Sequence, residues 1–312
     1  MNNISWVTVW GFGADIKTTR DSLLVSRKGK TERYSLDEIK HVIICGNHNF
    51  QTSAVETFAE KGIGVSFFDV HGNPTGLLYN GGVPALSQQQ KNLPVHKFAL
   101  TSIKSSIEAR MRLLHELSEK IEGGIYYKGE FEIVSGARAE LDYLITLAEL
   151  GRVFTLTKNM YYEIFSRAVP SDLGYRRRMK PPYSDPLNVL LSHGYAVLYA
   201  NISTACIGAG LDLTKGALYG EIEPAGNGKM PCVLDILEPA SVYMVDKIVI
   251  DLAREGKISG EYEVGQRCIL SDKLLAEFNK RLMSSINREI ISANVKHYAD
   301  AVEGLCEPDF HF

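Results

Sequence analysis

No C-x-x-C pair occurs in this sequence of 312 residues, and its five cysteines, at positions 45, 206, 232, 268 and 306, are odd in number and widely spaced. A cysteine-built zinc site and a disulfide framework are thereby excluded, which leaves reduced, mostly packed thiols and a cytosolic setting. No apolar run approaches the roughly 20 residues that span a bilayer. The opening MNNISWVTVWGFGADIK lacks a basic region followed by an apolar core and a small-residue cleavage site, so the expectation is a cytoplasmic protein with no membrane partner. Positive charge is not in excess either: 34 Lys and Arg against 37 Asp and Glu give a net charge of -3. Any surface for a polyanion must therefore come from a local cluster of cations. Internal repeats and low-complexity tracts are absent as well.

What is present is a globular composition, 45% hydrophobic and 23% charged, in a chain longer than one hydrophobic core usually organises. The pattern predicts an α+β protein. A small β-rich domain over residues 1–82 is joined by a linker, residues 83–95, to a larger all-α domain over residues 96–312. In the first part, WVTVWG, SLLVSRK, HVIICGN and GVSFFDV are β-branched or aromatic runs punctuated by Gly, Asn and Asp. One helix interrupts them from about Thr52 to Lys61, with Gly62 as its stop. The stretch GGVPALSQQQKNLP breaks both periodicities and reads as the linker. Beyond it, Phe98, Ile103, Ile107, Met111, Leu114, Leu117 and Ile121 trace one face of a long helix. Further helices are expected from about Ala139 to Phe165, Asp185 to Ala209, Ala240 to Arg254 and Ser271 to Ile291, the second of these opened by Asp185 and Pro186.

Several clusters carry candidate chemistry. Arg176, Arg177, Arg178 and Lys180 precede Pro181 and Pro182, which cannot continue a helix and keep the cations on a loop. Read alone, this is a solvated charge run. Asn188 and Ser192 lie four residues apart and share a helix face; Asn188 suits a helix-start hydrogen bond and Ser192 a packing role. Asp235 and Glu238, in VLDILEP, can share a face, and paired oxygen ligands suit Mg²⁺ or Mn²⁺. A lone D-x-x-E is also what a helix N-terminus attracts through its macrodipole.

Taken together, these elements resemble the CRISPR adaptation integrase family, the first CRISPR-associated protein. The resemblance rests on IKHVIICGNHNFQTSAVETFAEKGIGVSFFDVHGNPTGLL in the first part. In the second it rests on R-R-x-x-P-P-x-x-D-P-x-N-x-L-L-S-x-G-Y, then A-G-L-D, G-x-L and L-D-x-x-E, in the family's order. It implies metal-dependent DNA cleavage and strand transfer during spacer acquisition in antiviral defence, with a glutamate, a histidine and an Asp/Glu pair holding Mg²⁺ or Mn²⁺. It makes Asp235 and Glu238 the catalytic and metal-binding pair. It makes Arg176, Arg177, Arg178 and Lys180 a grip on the phosphodiester backbone, and Asn188 a signature position near the site. It also implies a homodimer formed through the β domain, with the second CRISPR-associated protein as a further partner.

Two positions depart from that pattern. In the family the residue after Gly, an aromatic and an aliphatic is histidine, whereas this chain reads Gly216, Ala217, Leu218, Tyr219. A phenol with a reference pKa of about 10 is a poor ligand for these metals. The family's glutamate, placed seven residues before a Tyr-aromatic pair, falls on Phe154. Glu149 is the nearest upstream carboxylate, but at five residues it points about 140° away around a helix unless a bulge brings it inward. The loop from Gly220 to Pro231 is also longer than the family usually has. The first reading is therefore a DNA-binding adaptation protein with impaired catalysis. A second keeps an active site built from Asp235, Glu238 and a displaced Glu149, with His193 as a substitute imidazole set against its simpler role in a packed helix. A third is an assembly subunit that does not bind DNA.

Overall fold

Alternating β-branched and aromatic residues place the first strand, β1 (Trp6–Thr18), at the centre of a six-stranded sheet in the computed structural model, which describes residues 6–69, 74–79, 84–221 and 230–312. With β2 (Ser22–Arg27), β3 (Lys30–Ser35), β4 (His41–Phe50), β5 (Gly64–Phe68) and β6 (Pro74–Leu78), the order is β3-β2-β1-β4-β5-β6. β1 and β5 each run parallel to β4, and the remaining pairs are antiparallel. A parallel pair needs a crossover, which α1 (Thr52–Glu60) supplies between β4 and β5. Its Ala54 and Phe58 pack with Val7, Val9, Ile16, Leu23, Val25, Val42, Ile44 and Val65 to form the core of this unit. The apolar runs predict four of these strands; β3 and β6 are additional, and β3 (KTERYS) is too polar and too exposed to show a buried period.

The described residues fall into two compact units, one up to Pro84 and one from Ala85 onward. The proposed boundary at residue 82 lies outside the described residues, as does most of the loop between Gly220 and Pro231. From Ala85, the stretch read as linker belongs to the helical unit. α2 (Ser87–Gln90) is short, Leu86 and Gln90 are buried, and the Gln90 amide donates to the carbonyls of Asp212 and Lys215 and accepts from the Asp212 N–H.

The helical unit is built on α3 (Val95–Lys120), α4 (Lys128–Glu140), α5 (Leu147–Arg167), α6 (Pro186–Gly208), α7 (Pro231–Ser241) and α8 (Lys247–Arg254), followed by α9 (Asp272–Ser285) and α10 (Arg288–Val302). α3 packs on α5 and α7, and α6 on α7 and α10. The helix expected from Ala139 to Phe165 is two helices, because Thr146 and Glu149 form a capping box that starts α5 afresh. The one expected from Ser271 to Ile291 is likewise split, with the Asn287 side chain capping α10. The unit is also not wholly helical. β7 (Tyr262–Val264) and β8 (Cys268–Leu270) form a small hairpin. All five cysteines are free, and four of them are buried. No helix among the described residues is long and apolar enough to cross a membrane.

Between α7 and α8 the chain makes one π-helical turn, Val242–Asp246. Such a turn places an extra residue in a helix and is frequent at functional sites. α6 approaches it closely at Gly194, where a Cβ would lie 2.4 Å from Cγ1 of Val245.

Candidate functional site

Asp235 sits on α7 with its carboxylate turned onto the tight turn that follows Gly216. It accepts from the backbone N–H groups of Ala217 at 2.5 Å, Leu218 at 3.3 Å and Tyr219 at 2.8 Å. The turn needs glycine at its start, since a Cβ on Gly216 would lie 2.7 Å from the Tyr219 carbonyl oxygen. Asp235 is fully buried, and burial raises its carboxyl to about 7 against the pull of those three donors. Both oxygens are committed to holding the turn that presents Tyr219.

Glu238, one helical turn further on, has donors on both of its oxygens. Its Oε2 accepts from Nη2 of Arg110 at 2.7 Å, and its Oε1 from Nζ of Lys158 at 2.5 Å and from the Tyr219 hydroxyl. Burial opposes its ionisation, but the Lys158 and Arg110 charges prevail and bring it down to about 2. The same carboxylate keeps the Arg110 guanidinium firmly charged in spite of burial. The Lys158 ammonium also donates to the Tyr219 oxygen at 3.1 Å and lies 5.0 Å from the Phe154 ring centroid and 5.8 Å from that of Tyr219. Asp235, Glu238, Phe154 and Tyr219 are thus brought together, but around an ammonium and a guanidinium.

The expected metal ion does not fit this set of donors. A divalent magnesium or manganese ion takes several oxygen ligands. Here each carboxylate oxygen already faces N–H or O–H donors, and among the described residues no group of three His, Cys, Asp or Glu side chains could hold a metal ion. Glu149 does not supply the missing ligand. Its Oε2 accepts from the N–H and hydroxyl of Thr146 at the start of α5, roughly 13 Å along the helix axis from Lys158. Satisfying the open N–H groups of its own helix is the demand that wins there. His193 is a core residue, 2% exposed, with Nε2 2.7 Å from Oδ1 of Asn279 and its ring against Phe278; burial lowers its pKa.

The basic loop divides in two. Arg176, Arg177 and Lys180 are exposed. Arg178 instead turns inward, donating to the Asn188 side chain at 2.8 Å and to Ser192 at 2.6 Å, with its guanidinium against the rings of Tyr183 and Tyr195. Asn188 is fully buried and has every polar capacity filled. Its oxygen accepts from Arg178 and from the Met179 N–H, and its amide donates to Asp185 and to the Arg177 carbonyl. Asn188 and Arg178 therefore brace the loop from within.

Arg110, Lys158 and Asp246 carry much of this arrangement and escaped the sequence reading. A signal existed, because Arg110 follows Ile103 and Ile107 on the buried face of α3, and Lys158 lies between Phe154 and Tyr161 on that of α5. A cation on an apolar stripe needs a buried partner. Asp246, on the π-helical turn, accepts from the hydroxyls of Tyr161 and Tyr195, and the latter is 2.7 Å from the Tyr162 hydroxyl. With Arg110 over the Tyr161 ring and Arg178 over that of Tyr195, a continuous buried polar layer joins the Glu238 pocket to the basic loop.

A sheet unit followed by this helical unit is an arrangement shared with solved structures. The chain superposes on a casposase bound to an integration product with a TM-score of 0.82, at 19% identity, covering 98% of this chain and 93% of that one. It superposes on a chain of a Cas6-RT-Cas1–Cas2 complex with a TM-score of 0.84, at 18% identity, and spans 36% of that longer chain. The family model described as CRISPR associated protein Cas1 matches residues 7–283, and the chain belongs to that family. It is 29% identical over 299 residues to a putative CRISPR-associated endonuclease Cas1 of Methanospirillum hungatei, covering 94% of this chain and 96% of the relative.

Proposed function

We propose that this Cas1-family protein binds DNA during CRISPR spacer acquisition while its metal-dependent cleavage and strand transfer are impaired. The observation that carries this reading is the neutralised Glu238, held between Arg110 and Lys158 with the Tyr219 hydroxyl on the same oxygen. In the family, a divalent ion polarises the phosphate and stabilises the charge that develops as the phosphodiester is attacked. In this chain the groups that would hold it are engaged by the protein's own donors. Misplacing reacting atoms by about 1 Å can cost on the order of a hundredfold in rate.

Binding itself needs no metal. Arg176, Arg177 and Lys180 project from a loop braced by Arg178 and Asn188, which suits contacts to the sugar-phosphate backbone. A casposase of the same fold is bound to an integration product, and another similar chain is part of a complex with Cas2. Both support DNA and a Cas2 protein as partners here; pairing of two copies through the sheet unit belongs to the same proposal. The assay is integration and cleavage of branched DNA with Mn²⁺, beside a binding titration. Salt-sensitive binding without turnover is expected; robust turnover abolished by Glu238→Ala would overturn the impaired-site reading, and absence of salt-sensitive binding would favour a pure assembly subunit.

A further inference from the structure

We infer that the Lys158 ammonium is the resident cation of this site, a tethered substitute for a dissociable metal ion, and that it offers an N–H to one phosphate oxygen of the nucleic-acid backbone. The inference rests on the reading of the chain as a DNA-binding protein and specifies how this pocket takes part.

Two cations serve this pocket, and they differ in what they can reach. Asp235 is satisfied by three backbone N–H groups and has no cation among its hydrogen-bond donors. Glu238 brings one negative charge, and Arg110 and Lys158 bring two positive ones. The two cations are not equally accessible. The Arg110 side chain is 2% exposed and cannot reach a ligand, whereas that of Lys158 is 28% exposed.

Donor geometry points the same way. An ammonium has three N–H groups. One goes to Glu238 and one to the Tyr219 oxygen, whose own proton is donated to Glu238. The third has no acceptor among the described residues. Phe154 covers the ammonium with an aromatic ring, which favours a cation, while Tyr219 meets it through its phenol oxygen. In that partly buried setting a charge attracts a phosphate more strongly than it would in open solvent. The two residues that displace metal ligands thereby become the cradle of a lysine. Such a cation cannot be chelated away, so DNA affinity should be indifferent to EDTA and to added Mn²⁺.

The test uses the full chain and a fluorescent branched DNA, titrated at several KCl concentrations in EDTA. Loss of one phosphate contact lowers the slope of log affinity against log salt by about 0.9. Lys158→Gln is expected to show that drop, and Lys158→Arg to keep the wild-type slope. Reductive methylation read by mass spectrometry gives a second measurement that needs no variant. Lys158 should be modified in the free protein and protected by DNA, with exposed Lys273 as the reference. An unchanged slope in Lys158→Gln, methylation of Lys158 undiminished by DNA, or wild-type binding abolished by EDTA would each overturn the inference while leaving DNA binding intact. Failure of the wild-type protein to bind DNA at all would overturn the functional reading itself.

Discussion

Arg110 and Glu238 lie 128 positions apart in the chain and form an ion pair of 2.7 Å, with side chains only 2% and 7% exposed. Breaking such a pair from one side leaves an uncompensated buried charge and costs about 3–5 kcal/mol. Glu238→Gln is therefore expected to lower stability to urea by that order, since both Arg110 and Lys158 lose their counter-ion. The acid dependence has a definite sign. With its folded pKa near 2, below the ordinary carboxylate value of 4.5, Glu238 contributes stability that is complete above about pH 4.5 and is lost as pH falls towards 2. Urea midpoints of the wild type and variant should converge in acid; a constant gap would argue against the pair.

Asp235→Asn separates a structural carboxylate from a ligand. The amide would put an N–H₂ against one of the N–H groups of Ala217, Leu218 and Tyr219 that the aspartate now accepts. Hydrogen bonds to a charged group contribute about 1.5–3 kcal/mol each, and an unsatisfied buried donor costs a similar amount. A loss of about 2–3 kcal/mol is expected, with faster amide hydrogen exchange confined to residues 217–219. Wild-type exchange rates there would show that Asp235 does not organise the turn.

How far the sequence led depends on whether a residue's role is local. Strands with a buried period, such as β1 and β4, were readable because their neighbours in sequence supply the pattern; the polar edge strand β3 has no such pattern. Asp185 and Pro186 announced the start of α6, and Asp185 does accept from the Asn188 N–H. Phe154 and Tyr219 could be marked as unsuited to hold a metal, yet the reason they tolerate each other is Lys158, whose partner Glu238 lies 80 residues away. Long-range ion pairs have no local signature beyond a charge on an apolar stripe. The same limit applies to Arg178, indistinguishable in sequence from Arg177 but turned inward by partners on α6.

His41 gives the sheet unit its own acid sensitivity. The ring is 3% exposed, its Nε2 is 2.7 Å from the Ser66 hydroxyl, and burial lowers its pKa from 6.5 to about 3. A folded pKa below the unfolded value means that the unfolded chain takes up the proton more readily. The contribution is intact above about pH 6.5 and falls progressively towards pH 3, by roughly 3 kcal/mol between pH 6.5 and 4. His41→Gln should flatten the melting profile across that window. A variant with the wild-type profile would place the acid sensitivity elsewhere.

Gly194 tests the seat of the π-helical turn. Alanine there puts a Cβ 2.4 Å from Cγ1 of Val245. Overpacking of this kind costs about 1–3 kcal/mol. The loss should be largely relieved in Gly194→Ala/Val245→Ala, because the second change removes the methyl group that clashes. Additive losses in the double variant would mean that the two sites are not coupled through this contact.

Arg177 and Arg178 are neighbours with opposite expected phenotypes. Arg177 is exposed, and Arg177→Ala should leave the urea midpoint unchanged while lowering the salt slope of DNA binding by about 0.9, as one phosphate contact is lost. Arg178→Ala removes the donors that meet Asn188 and Ser192 and the cation lying against Tyr183 and Tyr195. It should cost about 2–4 kcal/mol of stability, since a guanidinium bonded to buried acceptors is lost and Asn188 is left partly unpaired. DNA affinity would then fall through a disordered loop. Arg178→Lys should recover little of this, because one ammonium cannot reproduce the planar fork that spans both acceptors. Equal effects of the two alanine variants on stability and on salt slope would contradict the division of the loop into a gripping surface and an inward brace.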